Sequence, residues 1–138
     1  MRFALCLSLT TAIALPVRAA LPPCVYDALV AAAPDVVQLH RLTLREDGPD
    51  DMCQMEGTVV RAFRGQFEMG QRLRFSVPCD IDRPPEVGPT VYHATDALDA
   101  AAVVEVHFNA EGEVAGHGEG LIVLDAPSDA VAWRPFCE

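Results

Sequence analysis

Gln71-Arg72-Leu73-Arg74-Phe75-Ser76-Val77 alternates apolar and polar side chains. A period of two places Leu73, Phe75 and Val77 on one face of a strand, and Arg72, Arg74 and Ser76 on the other. Pro78 ends the run. Proline lacks the N–H that a ladder needs, so central strands avoid it. There is none between positions 50 and 77, nor between 90 and 126, and these two windows are where a sheet fits.

Outward from that strand, residues 57–63 are rich in β-branched side chains and read as the strand before it, joined through a loop at 65–70. Residues 36–44 alternate loosely and predict a first strand, ended by the turn cluster Glu46-Asp47-Gly48-Pro49-Asp50. Residues 78–89 hold four prolines and predict an irregular crossing segment. Residues 95–100 fit a short helix with Thr95 as N-cap. A fourth strand is predicted over 101–109, with Val104, Val106 and Phe108 inward and Glu105, His107 and Asn109 outward. After a turn at 109–112, a fifth runs over 114–125, with Gly116, Gly118 and Gly120 at alternate positions. Residues 24–33 predict a short helix with Val25, Leu29 and Val30 on one face, stopped by Pro34. The tail, 127–138, is irregular, with Trp133 and Phe136 expected to cover the sheet. Five short strands with a small helix between the third and fourth predict a mainly β fold, a five-stranded OB-like Greek-key barrel with one or two short helices.

The amino-terminal residues have the order of a secretory signal: Arg2, an apolar run from 3 to 15, Pro16, then Val17-Arg18-Ala19 before the cleavage point. The run is about 13 residues, short of the roughly 20 that span a bilayer. The expected organisation is a signal peptide over 1–19 and a single disulfide-containing β-barrel domain over 20–138. No transmembrane segment is expected in the mature chain. Removing residues 1–19 takes away Arg2 and Arg18 and no acid, so the net charge of −10 becomes −12. Such a surface repels phosphate backbones, and nucleic acid is excluded as an expected partner. The charge is uneven: six Arg face six acids between Arg41 and Arg74, whereas two Arg stand among twelve acids from Cys79 onward. The mixed region reads as a solvated face, or as an Arg-rich patch for an anionic partner.

Cys24, Cys53, Cys79 and Cys137 remain after cleavage. An even number in a small exported domain implies two disulfides, with three connectivities open. No Cys-x-x-Cys occurs. A tight hairpin folding about Gln66 sets residues 53 and 79 opposite each other, which favours Cys53–Cys79 and leaves Cys24–Cys137.

The stretch Cys53-Gln54-Met55-Glu56-Gly57-Thr58-Val59-Val60, followed by Gly65, Gly70 and Arg74-Phe75-Ser76-Val77-Pro78-Cys79, resembles the first hairpin of netrin-like modules. These are OB-barrel proteins that include the tissue inhibitors of metalloproteinases. The resemblance implies the barrel. It does not carry protease inhibition, because those inhibitors chelate the target metal with a cysteine at the mature N-terminus, and here the expected start is Ala20, four residues before Cys24.

No nucleophile motif or phosphate-binding loop is present. Ser76 lies mid-strand, Ser128 lies in a proline-flanked loop, and Gly116-His117-Gly118-Glu119-Gly120 leads into a strand rather than a helix. Met52, Cys53, Met55 and Met69 suggest a soft copper site only if Cys53 is reduced. Glu105 and His107 share one strand face, as do His117 and Glu119. A three-residue loop would put residue 105 opposite 117 and bring all four together. Imidazole and carboxylate in such a patch bind zinc or copper; otherwise they form a solvated face of cross-strand pairs. No other cofactor is expected. The sequence therefore points to a periplasmic or secreted non-enzymatic binding or accessory module, its partner an envelope protein or small ligand. The alternatives are a periplasmic transition-metal-binding protein using those four residues, or a hydrolase whose site carries no recognisable motif.

Overall fold

The computed structural model describes residues 20–48, 51–80 and 88–137. The expected signal peptide, and Pro49 and Asp50 of the predicted turn, lie outside them. In chain order the elements are helix α1 (Pro23–Ala31), strands β1 (Asp35–Arg45), β2 (Met52–Arg64), β3 (Arg72–Asp80) and β4 (His93–Ala94), helix α2 (Thr95–Asp99), strand β5 (Val103–Phe108), a 3-10 turn (Gly116–Gly118) and strand β6 (Leu121–Leu124). The strands form one sheet in the order β4-β3-β2-β1-β5-β6, curled into a half-barrel. Pairing is antiparallel except where β4 lies parallel to the end of β3. The fold is mainly β, with six strands rather than five.

β1 curls the sheet. It pairs with β2 on one edge and β5 on the other, and its register with β2 shifts three times. In the last shift Arg41 takes a left-handed conformation, φ 51°, a bulge that bends the strand. Gly57 lies opposite the bend, where an added Cβ would stand 2.8 Å from the Leu42 side chain, so the missing side chain lets the strands close there.

Alternation fills the concave face as the sequence predicts. Leu39, Met55, Val59, Leu73, Phe75, Val77, Val104 and Val106 are buried together. Phe108 meets Phe75 and Phe67 edge to face, with ring centroids 5.3 and 5.7 Å apart. Each such pair adds about 0.5–1.5 kcal/mol beyond its buried area.

Both disulfides form as the hairpin argument favours: Cys53–Cys79 with Cα atoms 5.7 Å apart, and Cys24–Cys137 with 5.4 Å. The register differs. Cys53 lies opposite Val77 rather than Cys79, and the Cys79 N–H donates to the Asp51 carbonyl. A slip of two residues keeps every side chain on its face, so the cysteines still meet, as diagonal neighbours.

Other expectations are corrected. The predicted strand over 114–125 is broken, because Gly116, His117 and Gly118 all have positive φ (63°, 53° and 106°), which no strand accommodates. Only a bridge at Val114 and β6 remain of it. Ala94, not Thr95, is the N-cap of α2, and the Thr95 hydroxyl donates to the Asp80 carbonyl instead. In α1, Val25 and Leu29 are exposed, while Asp27 and Val30 face inward. Phe136 is 82 % exposed and covers nothing, whereas Trp133 does lie over the sheet. None of the described helices is long and apolar enough to cross a membrane.

Candidate functional site

Glu105 and His107 lie on the convex face of β5, opposite the core, as the alternation requires. They are not solvated: Glu105 is 0 % and His107 2 % exposed. The C-terminal tail crosses this face and buries both. Glu105 is the point of attachment. Its Oε2 accepts from the Ala132 N–H at 2.7 Å and from Gln38 Nε2 at 2.9 Å. Its Oε1 accepts from the Trp133 N–H at 2.9 Å and from His107 Nε2 at 3.0 Å. Gln38 stands beside Glu105 because β1 and β5 pair there in register. It extends the network to Ser128, donating to Oγ at 2.8 Å and accepting from the Ser128 N–H at 2.9 Å. Burial alone would raise the Glu105 pKa. The hydrogen bonds from His107, Ala132, Gln38 and Trp133 outweigh it and hold the carboxyl at about 2.

With Nε2 committed to Glu105, the His107 Nδ1 is buried without a hydrogen-bond partner among the described residues. The ring sits 5.6 Å, centroid to centroid, from the Trp133 indole and forms part of the wall of a cavity of about 330 Å³. Val36, Phe63 and Val131 supply apolar walls, and Arg64 stands at the same cavity.

The four residues expected to share a metal patch do not assemble. Residue 105 lies opposite Ile122, not 117, because the broken segment adds residues to the β5–β6 connection. His117 is exposed on the 3-10 turn, where its ring meets Tyr26 edge-on at 6.4 Å, and Glu119 follows that turn. Among the described residues no group of three or more His, Cys, Asp or Glu side chains is arranged to hold a metal ion. The soft copper set fails too: Cys53 is bridged, Met55 is buried and Met69 is 71 % exposed. The Arg-rich stretch is largely compensated. Glu56 pairs with Arg72 and, at 2.8 Å, with Arg74. The Arg74 hydrogen bonds, followed by the charge of Arg72, hold the Glu56 carboxyl below its usual range against the opposing effect of desolvation. Arg61 pairs with Asp129 at 3.2 Å.

Sequence reading did not find the site at the open side of the half-barrel. In β3 the alternate residues 73, 75, 77 and 79 direct their backbone groups to β2, which leaves those of Arg72, Arg74 and Ser76 pointing away. Among the described residues no strand or loop bonds to them; β4 covers only Cys79 and Asp80. This edge opens on a cleft of about 600 Å³, lined on one side by Gln54, Ser76 and Pro78 and on the other by Glu113, Val114 and His117. Ser76 accepts a 2.6 Å hydrogen bond from Gln54 Nε2 on the cleft wall. The only signal in the sequence was Pro78, a residue at home on an edge strand.

Comparison with family models, curated proteins and solved structures finds no match to this chain.

Proposed function

We propose that the protein is an exported, non-enzymatic binding module of the cell envelope, and that it holds an extended segment of a partner polypeptide along the free edge of β3. The observation that carries this reading is the row of N–H and C=O groups at Arg72, Arg74 and Ser76 that have no backbone partner among the described residues, with Arg74 and Ser76 lining a preformed cleft. An added strand would satisfy those groups, and side-chain pockets beside the edge would select its sequence. Two disulfides fit an oxidising compartment and agree with the export signal expected over 1–19. The strand order supports an OB-like barrel. A central β1, flanked by β2–β3 and by β5–β6, is the arrangement such a barrel has when its last seam stays open.

The test uses the exported protein in its own cell envelope, with a photo-cross-linking benzoylphenylalanine in place of Arg74. Arg74 is exposed, and losing its surface ion pair costs little. A second variant carries the same group in place of exposed Asp125, beyond β6. Illumination should yield a discrete polypeptide adduct at 74 and none at 125. Equal labelling at both positions, or no adduct at 74, would overturn the reading.

A further inference from the structure

We infer that the segment received along β3 is an alternating one, with acidic side chains on the face of Arg72 and Arg74 and apolar side chains on the face of Phe75. The inference rests on the strand-docking reading above and names the chemistry of the partner. Residues directly opposite each other in a sheet carry their side chains on the same face. On an added strand, the residues opposite Arg72 and Arg74 therefore meet two guanidinium groups, and those between and beside them meet the apolar side. The cleft continues that apolar side, since Phe75 and Val114 line it together with Arg74 and Ser76.

The two arginines have capacity to spare. Arg72 and Arg74 are 72 % and 68 % exposed, and across the sheet on β2 they face Thr58 and Glu56. Glu56 serves both: its Oε1 accepts from Arg72, and its Oε2 accepts from Arg74 at 2.8 Å. Two cations thus share one carboxylate, and each guanidinium has five N–H donors. Opposite charges facing each other across strands are favourable, and like charges are not. The same rule argues against a second copy of this chain. A two-fold axis at Leu73 or Arg74 would set Arg72 or Arg74 against Arg74 of the other copy. Charge on an edge blunts indiscriminate pairing; a positive edge still admits a segment of opposite sign. Glu113 stands on the far wall of the cleft, bonded to Asn109 Nδ2 at 3.2 Å, and confines the incoming acids to the arginine side. The chain's net charge of −10 does not cancel the preference, because exposed charges farther off than about 8 Å are largely screened at physiological salt.

The test is selection from a phage-displayed library of random peptides about ten residues long, enough for one strand. The baits are the purified, oxidised protein and an Arg72→Gln, Arg74→Gln double variant. Both positions are exposed, so the thermal melt of the variant should stay close to that of the wild type. The wild-type protein should enrich peptides with Asp or Glu at alternate positions and apolar residues between them. The variant should enrich the apolar alternation without the acids. A selected peptide resynthesised with Gln for Glu and Asn for Asp should bind the wild type more weakly by on the order of tenfold, and the variant about equally. Peptides without alternate acids on the wild type, or the same acids enriched on both baits, would overturn this inference and leave the docking reading standing. Selection of no peptide by either bait, or selected peptides that leave amide exchange at 72, 74 and 76 unchanged, would overturn the docking reading and this inference with it.

Discussion

Glu105→Ala should cost the fold about 3–5 kcal/mol, the usual loss when one member of a buried, hydrogen-bonded charged group is removed. The variant removes an acceptor from four donors, two of them on fully buried side chains: the part-buried Ala132 and Trp133 N–H groups, Gln38 Nε2, which keeps its bond to Ser128, and His107 Nε2. The tail then loses its main attachment to β5, and Trp133 should become more solvent-exposed, with a red-shifted emission. The same residue sets an acid limit. Its folded-state pKa of about 2 lies below the ordinary 4.5, so its stabilisation is fully present above pH 4.5. It is lost as pH falls from there towards 2. A depression of that size corresponds to about 3 kcal/mol at neutral pH. Urea unfolding at pH 7 and pH 3 should show the wild-type protein losing a large part of this and Glu105→Ala losing little more than it already lacks. A variant as stable as wild type at pH 7 would show that the tail is held some other way.

Removing the Cys24–Cys137 bridge by Cys24→Ser with Cys137→Ser should be comparably damaging. The two residues are 113 apart in sequence. In the chain-entropy view, closing so long a loop removes about 4–5 kcal/mol of unfolded-state freedom. The bridge also keeps the end of the tail on α1, where the Cys137 N–H donates to Asp27 Oδ2 at 2.6 Å. The double variant should therefore unfold at markedly lower urea concentration and lose the protection of residues 131–137 against proteolysis. Losing only the entropic part, with the tail still protected, would mean that Glu105 and Asp27 suffice to hold it.

The sheet was legible because alternation is a local property. Leu73, Phe75, Val77, Val104 and Val106 announce their face whatever lies far away, and the pairing of Cys53 with Cys79 survives a two-residue register error because parity is preserved. What covers the opposite face is not local. The alternation that puts Glu105 and His107 outside the core cannot say that residues 131–133 return across them, and a pair read as solvated is instead the centre of a buried network. The expected strand from 114 to 125 failed for a different reason. Alternate glycines suit a bent strand, but they equally permit successive left-handed residues, and His117 joins Gly116 and Gly118 in that conformation. With that turn in place, residue 117 leaves the face of residue 105, and the metal patch dissolves. The free edge of β3 was invisible for a related reason, since whether a strand has a second neighbour depends on the topology of the whole sheet.

Residue-resolved amide hydrogen exchange along β3 in the purified, oxidised protein tests the binding account most directly. The N–H groups of Leu73, Phe75 and Val77 bond to β2, whereas those of Arg72, Arg74 and Ser76 point away from it along the open edge, which borders the cleft at Arg74 and Ser76. The account predicts an alternating pattern: slow exchange at 73, 75 and 77, fast exchange at 72, 74 and 76, and slowing at the latter three when the cross-linked partner segment is added as a peptide. Equal protection of all six in the free protein would contradict it, because the edge proposed to receive a partner would already be occupied.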